Sequence, residues 1–248
     1  MSAVTRRPSA QAWTWHHEAC LDLLQHSPKS TASDRLLCQL VLAERVCDRI
    51  ATELALSDLG TALDVNDLAP KMHSLQDDIL QFSAQIPTDL RVPKVTIWQH
   101  VMTMYLHEPV LHTVTNKPSF AAPFLAERLS HSDFPAPAVT PAHIASLFAL
   151  RDAAHALLDT FCSLGAPEVM LALPTILYSA RALYAMYILT KLYVAVTAVG
   201  NSYGSVFSAG DLKVDEYLRK LMNLVDRLET VDGNAVCIAI ALCNVGSL

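Results

Sequence analysis

A chain of 248 residues with 52% hydrophobic and 17% charged residues is long enough to bury a sizeable core and far too apolar to be a disordered tail. Its net charge of -6 and pI near 5.9, with Lys and Arg scattered, exclude the basic face that a protein needs to hold duplex DNA unaided. Seven glycines and little strand-like alternation argue against a turn-rich all-β fold.

Taken in chain order, the sequence reads as amphipathic helices separated by proline. Residues 1–12 hold no apolar core of signal-peptide length and read as a disordered N-terminus ahead of a helical domain over 13–246. Residues 12–25 (AWTWHHEACLDLLQ) predict a short helix that ends before Pro28. Ser33 is the candidate N-cap of a longer helix with Leu36, Leu40, Cys47, Ile50 and Leu54 on one face. After a polar interval (DLGTALDVND), Leu68, Met72, Leu75, Ile79, Phe82 and Ile86 recur at steps of four and three until Pro87. Pro93 suits the first turn of the next helix, which runs to about Leu106.

Residues 114–140 hold four prolines and read as a long loop with a short helix near 124–129, either dividing two helical layers or covering a groove. Thr140-Pro141 starts a helix whose apolar face is Ile144, Leu147, Leu158 and Phe161. Pro174 opens an apolar helix to about Val199. Arg181 and Lys191 break that run, so it cannot span a bilayer. Asp211 is the expected cap of a helix carrying Val214, Leu218, Leu221, Val225 and Leu228, which Gly233 ends before a last apolar helix (NAVCIAIALCNV). The fold class is all-α, a single domain of eight to ten helices.

The candidate chemistry is sparse. Six cysteines would suffice for a binuclear zinc cluster, but Cys20, Cys38, Cys47, Cys162, Cys237 and Cys243 span the chain without one C-x-x-C, so they read as free, mostly buried thiols. His100 and His107 stand two helical turns apart, about 10 Å, too far to share a metal. Residues 200–204 (GNSYG) match G-x-S-x-G, yet all ten histidines lie at or before His155, leaving no base after Ser202 for a hydrolase triad in the α/β-hydrolase order. A serine hydrolase is the weakest of three functional readings, and no catalytic, cofactor-binding or metal site is assigned. Arg181 and Lys191, charges in an apolar helix, either reach the surface, pair with a carboxylate, or line a pocket for an acidic effector.

Four short segments carry a resemblance: 105–112 (YLHEPVLH), 152–159 (DAAHALLD), 189–193 (LTKLY) and 211–221 (DLKVDEYLRKL). In order and spacing they resemble the regulatory region of fungal zinc binuclear cluster transcription factors, the fungal-specific transcription factor domain. The opening helices (WHHEACLDLLQHSP and SDRLLCQLVLAERVCDRI), FSAQIPTDLR and LPTILYSARALYAMYILTKLY extend the resemblance over nearly the whole chain. It marks Leu106, His107, Glu108, Pro109, Asp152, His155, Lys191, Tyr193, Asp211, Leu212 and Tyr217 as family-motif residues with structural roles.

The resemblance implies a regulator of metabolic genes in the nucleus. It would act through the transcription machinery or a full-length relative and in response to a small effector. Zinc is expected only in an N-terminal cluster, which is not found ahead of Trp13. The chain is therefore expected neither to bind DNA directly nor to enter a membrane nor to be an enzyme. The alternative is a stand-alone helical module that pairs with and inhibits a full-length relative, with the 68–86 seam as its candidate interface.

Overall fold

The computed structural model describes residues 13–58, 65–113, 115–120, 139–164 and 175–231. Seven α-helices account for most of them: α1 Trp15–His26, α2 Ala32–Glu53, α3 Val65–Gln85, α4 Pro93–His107, α5 Pro141–Ser163, α6 Thr175–Thr197 and α7 Val214–Val231. The all-α class holds, with no strand among the described residues. Among the described residues the count is seven rather than eight to ten. Two expected helices, near 124–129 and at 234–245, lie outside the described residues, as do the 1–12 tail and most of the 114–140 loop.

Local sequence sets the helix ends. Pro93 and Pro141 occupy the first turns of α4 and α5, where a missing N–H breaks no bond, and the Thr140 side chain accepts from the His143 amide. Two caps differ from expectation. Thr31, not Ser33, caps α2, because Asp34 completes a reciprocal capping box with it. Asp211 belongs instead to a short 3-10 turn, Ala209–Leu212, in which it closes a capping box with Ser208. Lys213 then takes a left-handed conformation with φ 50°, and α7 starts only at Val214.

α4 is apolar on most of its circumference and packs against α2, α3 and α5, while α6 lies against α5 and α7. The apolar positions of the 68–86 seam, Leu68 to Ile86, are all buried and belong to the core. Six such side chains contribute roughly 1.5–3 kcal/mol each. The periodicity errs at Ile144, which is exposed, whereas Leu147, Leu158 and Phe161 are buried as expected. No described helix is long and apolar enough to cross a membrane.

Candidate functional site

The structure gathers the motif residues into two constellations. The first forms where α4 ends and a 3-10 turn, Glu108–Leu111, follows directly because Pro109 can donate no amide hydrogen. Leu106 and Pro109 are buried, and Glu108 has no exposed surface at all. A buried carboxylate needs compensating donors. His112, one turn on, donates through Nε2 to Glu108 Oε1 at 2.7 Å, and the Tyr184 hydroxyl of α6 donates to Oε2.

Lys191, two turns beyond Tyr184 on α6, is also fully buried. Its ammonium donates to Ser119 Oγ and lies 5.0 Å from the Phe120 ring centre and 5.4 Å from that of Tyr187. Lys191 therefore does not snorkel to the surface. Ser119 passes the polar chain on, donating to the Asn116 carbonyl at 2.6 Å. Lys117, likewise buried, reaches 62 residues back to donate to the Ala55 carbonyl at 2.8 Å, just past the end of α2. Buried polar groups on α6 and the 108–120 stretch thus fix the chain that leaves α4.

His107 points elsewhere. Its Nδ1 lies 3.2 Å from Ser146 Oγ on α5, and burial lowers its pKa to about 4. Arg181, the other buried cation of α6, pairs with Glu44 of α2 at 3.2 Å and lies over the Trp98 ring at 3.7 Å.

The second constellation joins α5 to the start of α7. His155 Nε2 donates to the carbonyl of the fully buried Leu212 at 3.1 Å, and its ring lies 5.1 Å from that of Tyr217. Burial, ahead of this hydrogen bond, keeps His155 neutral by lowering its pKa. The Tyr217 hydroxyl donates to Asp159 Oδ2 at 3.0 Å, and Lys220 lies 3.2 Å from the other oxygen. The Ser208 amide and hydroxyl hold the Asp211 carboxyl below the usual carboxylate range. Three motif residues join neither group: His107 turns to Ser146, Asp152 pairs with its neighbour Arg151 at the surface, and Tyr193 is exposed.

His112, Tyr184, Ser119 and Lys117 were not singled out by sequence. Of these only His112 carried a readable signal, since it stands four residues after Glu108. The sites of the other candidates fit quiet roles. α6 is helical through Thr197, so the chain before Ser202 is not the strand of a nucleophile elbow. Cys38 and Cys47 are buried, Cys162 is half-buried, and Cys20 is exposed, while Cys237 and Cys243 lie outside the described residues. Burial raises the thiol of Cys162 to about 11 and that of Cys47 further, which suppresses thiolate chemistry at both. Among the described residues no three His, Cys, Asp or Glu side chains converge as a metal would require.

Comparison with known proteins gives no further constraint. No family model matches the sequence, and no curated protein or solved structure is significantly similar to it.

Proposed function

We propose that this chain is a helical regulatory domain of the fungal zinc binuclear cluster transcription factor type. It works in the nucleus on metabolic genes through contacts with the transcription machinery and a small effector, while zinc and DNA belong to a separate cluster. The observation that carries the reading is the docking of two motif segments, DAAHALLD on α5 and DLKVDEYLRKL at α7, through His155–Leu212 and Tyr217–Asp159. Residues that recur in such motifs for structural reasons should hold elements together, and these pairs do. The Glu108–Tyr184 bond between the end of α4 and α6 supports it in the same way.

The test places the chain between a heterologous DNA-binding domain and an activation domain in a yeast reporter strain. Reporter output several-fold below that of a fusion lacking the chain is the expected result. Output unchanged by the insertion, with the fusion present at equal level, overturns the regulatory reading.

A specific surface favours the second reading, a module that pairs with a full-length relative. Among the described residues, exposed large apolar side chains lie on α1, where Trp15 is 81% and Leu23 68% exposed, and on α2 at Leu37, 51% exposed. Capture of a co-expressed full-length relative, lost in Trp15→Asp, is the outcome this reading requires.

A further inference from the structure

A groove between α2 and α3 carries a chemical signature that the regulatory reading does not use. It encloses about 310 Å³ and is lined by Arg49, Glu53, Pro70, Lys71, Ser74 and Leu75. Lys71 and Ser74 stand one turn apart on α3, and Arg49 reaches in from α2. Both cations already make oxygen contacts nearby: Arg49 bonds Asp78 at 2.9 Å and Lys71 donates to the Glu53 carbonyl at 3.3 Å. The exposed Ser74 hydroxyl is thus set on a groove with two positive donors, in a space large enough for a tetrahedral anion.

The sequence around Ser74 points the same way. Asp77 and Asp78 follow it at three and four residues, the placement of carboxylates that a protein kinase with a basic substrate cleft selects. The helix before it is weakened, since Pro70 lies inside α3 and deletes one rung of its hydrogen-bond ladder a turn ahead of Ser74. Opening the chain there for a kinase requires less than in an unbroken helix.

We propose that Ser74 is a phosphorylation site for an acidophilic serine/threonine kinase, and that Arg49 and Lys71 receive the phosphate. The Ser74 oxygen attacks the γ-phosphorus of ATP, the new Oγ–P bond forms, the bond to the bridging oxygen breaks, and ADP leaves. The hydroxyl proton passes to the kinase's base. The product carries close to two negative charges and three strong acceptors, which a guanidinium and an ammonium match. Asp78 and Glu53 repel it, so Arg49 turns from Asp78 to the phosphate. The modification then replaces the Arg49–Asp78 link between α2 and α3 with one from the same arginine to residue 74.

The experiment uses the full chain, folded, with ATP and a purified acidophilic kinase. One phosphoryl group on Ser74, located by fragment mass spectrometry and absent from Ser74→Ala, is the first expected result. In phosphorus NMR, the phosphoserine should titrate roughly half a unit or more below the value near 6 of a free phosphoserine. The double variant Arg49→Gln/Lys71→Gln should return it to that value while circular dichroism shows the same helix content. Phosphate that is absent or placed only on other residues overturns the site. Phosphate on Ser74 whose titration ignores the double variant overturns the receiving role of the two cations. Neither result touches the reporter assay, so this inference and the regulatory reading fail separately.

Discussion

The Tyr217 hydroxyl of α7 donates to Asp159 of α5 at 3.0 Å, and the tyrosine ring packs against His155 one turn before that aspartate. One aromatic side chain thus reads two positions of the DAAHALLD segment. Tyr217 is 2% exposed, so its ring is core and only its oxygen reaches a wet carboxylate. Tyr217→Phe keeps the ring and removes the bond. Because Asp159 can rehydrate, the loss should be about 1 kcal/mol. Tyr217→Ala removes the ring as well and should lose about 3–5 kcal/mol. Urea unfolding of the two variants measures both.

Stability should fall on acidification before the carboxylates titrate. The pKa of His107 is lowered to about 4 by burial, against an ordinary value of 6.5, so the folded state prefers the neutral ring. The unfolded chain binds this proton first. Stability is therefore fully present above about pH 6.5 and is lost as pH falls toward 4, by roughly 3 kcal/mol in all. His100 and His155, also lowered by burial, add in the same direction. In His107→Gln the slope of unfolding free energy against pH between 6.5 and 4 should flatten; an unchanged slope would assign the effect to the other histidines.

Among the described residues, two other than glycine hold left-handed backbone, Ala55 at φ 48° and Lys213 at φ 50°. Each follows a helical turn: Ala55 comes just after α2, and Lys213 ends the 3-10 turn before α7. This conformation is unfavourable for a side chain bearing Cβ by about 1–2 kcal/mol, and glycine removes that penalty at some loss of unfolded-state entropy. Lys213 is exposed, so Lys213→Gly should stabilise the chain by about 0.5–1 kcal/mol, read as a raised Tm.

Helix existence was legible in the sequence wherever apolar spacing and proline coincided. The steps over 68–86 became α3, Pro93 and Pro141 became first-turn residues, and Pro87 follows the end of α3. Cap identity was not, because Thr31 and Ser33 are both good caps and only the carboxylate of Asp34 decides between them. The start of α7 was missed for a related reason: nothing in DLKVDEYL announces that Lys213 will turn left-handed. At the candidate site, Glu108 and Lys191 were marked by family resemblance; of their partners His112 is local, four residues after Glu108, whereas Tyr184 and Ser119 come from separated segments that only tertiary packing brings together. Ile144 failed because periodicity gives the face of a helix and not the depth to which its neighbours cover it.

The Arg181–Glu44 pair separates fold specificity from fold stability. Arg181 is 1% exposed and stacks on Trp98, while the Glu44 side chain keeps 24% of its surface. Removing the carboxylate alone leaves a cation in the core with less compensation, and Glu44→Ala should destabilise by about 2–3 kcal/mol, below the 3–5 kcal/mol of a fully buried pair because water reaches Glu44. Replacing both partners with apolar residues removes the desolvated charge together with its counterion. Arg181→Met/Glu44→Leu should therefore be more stable than Glu44→Leu alone, with a coupling of about 1 kcal/mol or more in the double-mutant cycle completed by Arg181→Met. If the double variant is instead the least stable of the set, the pair contributes net stability to the fold. In that case the guanidinium over Trp98, and not the ion pair alone, holds α6 against α2 and α4.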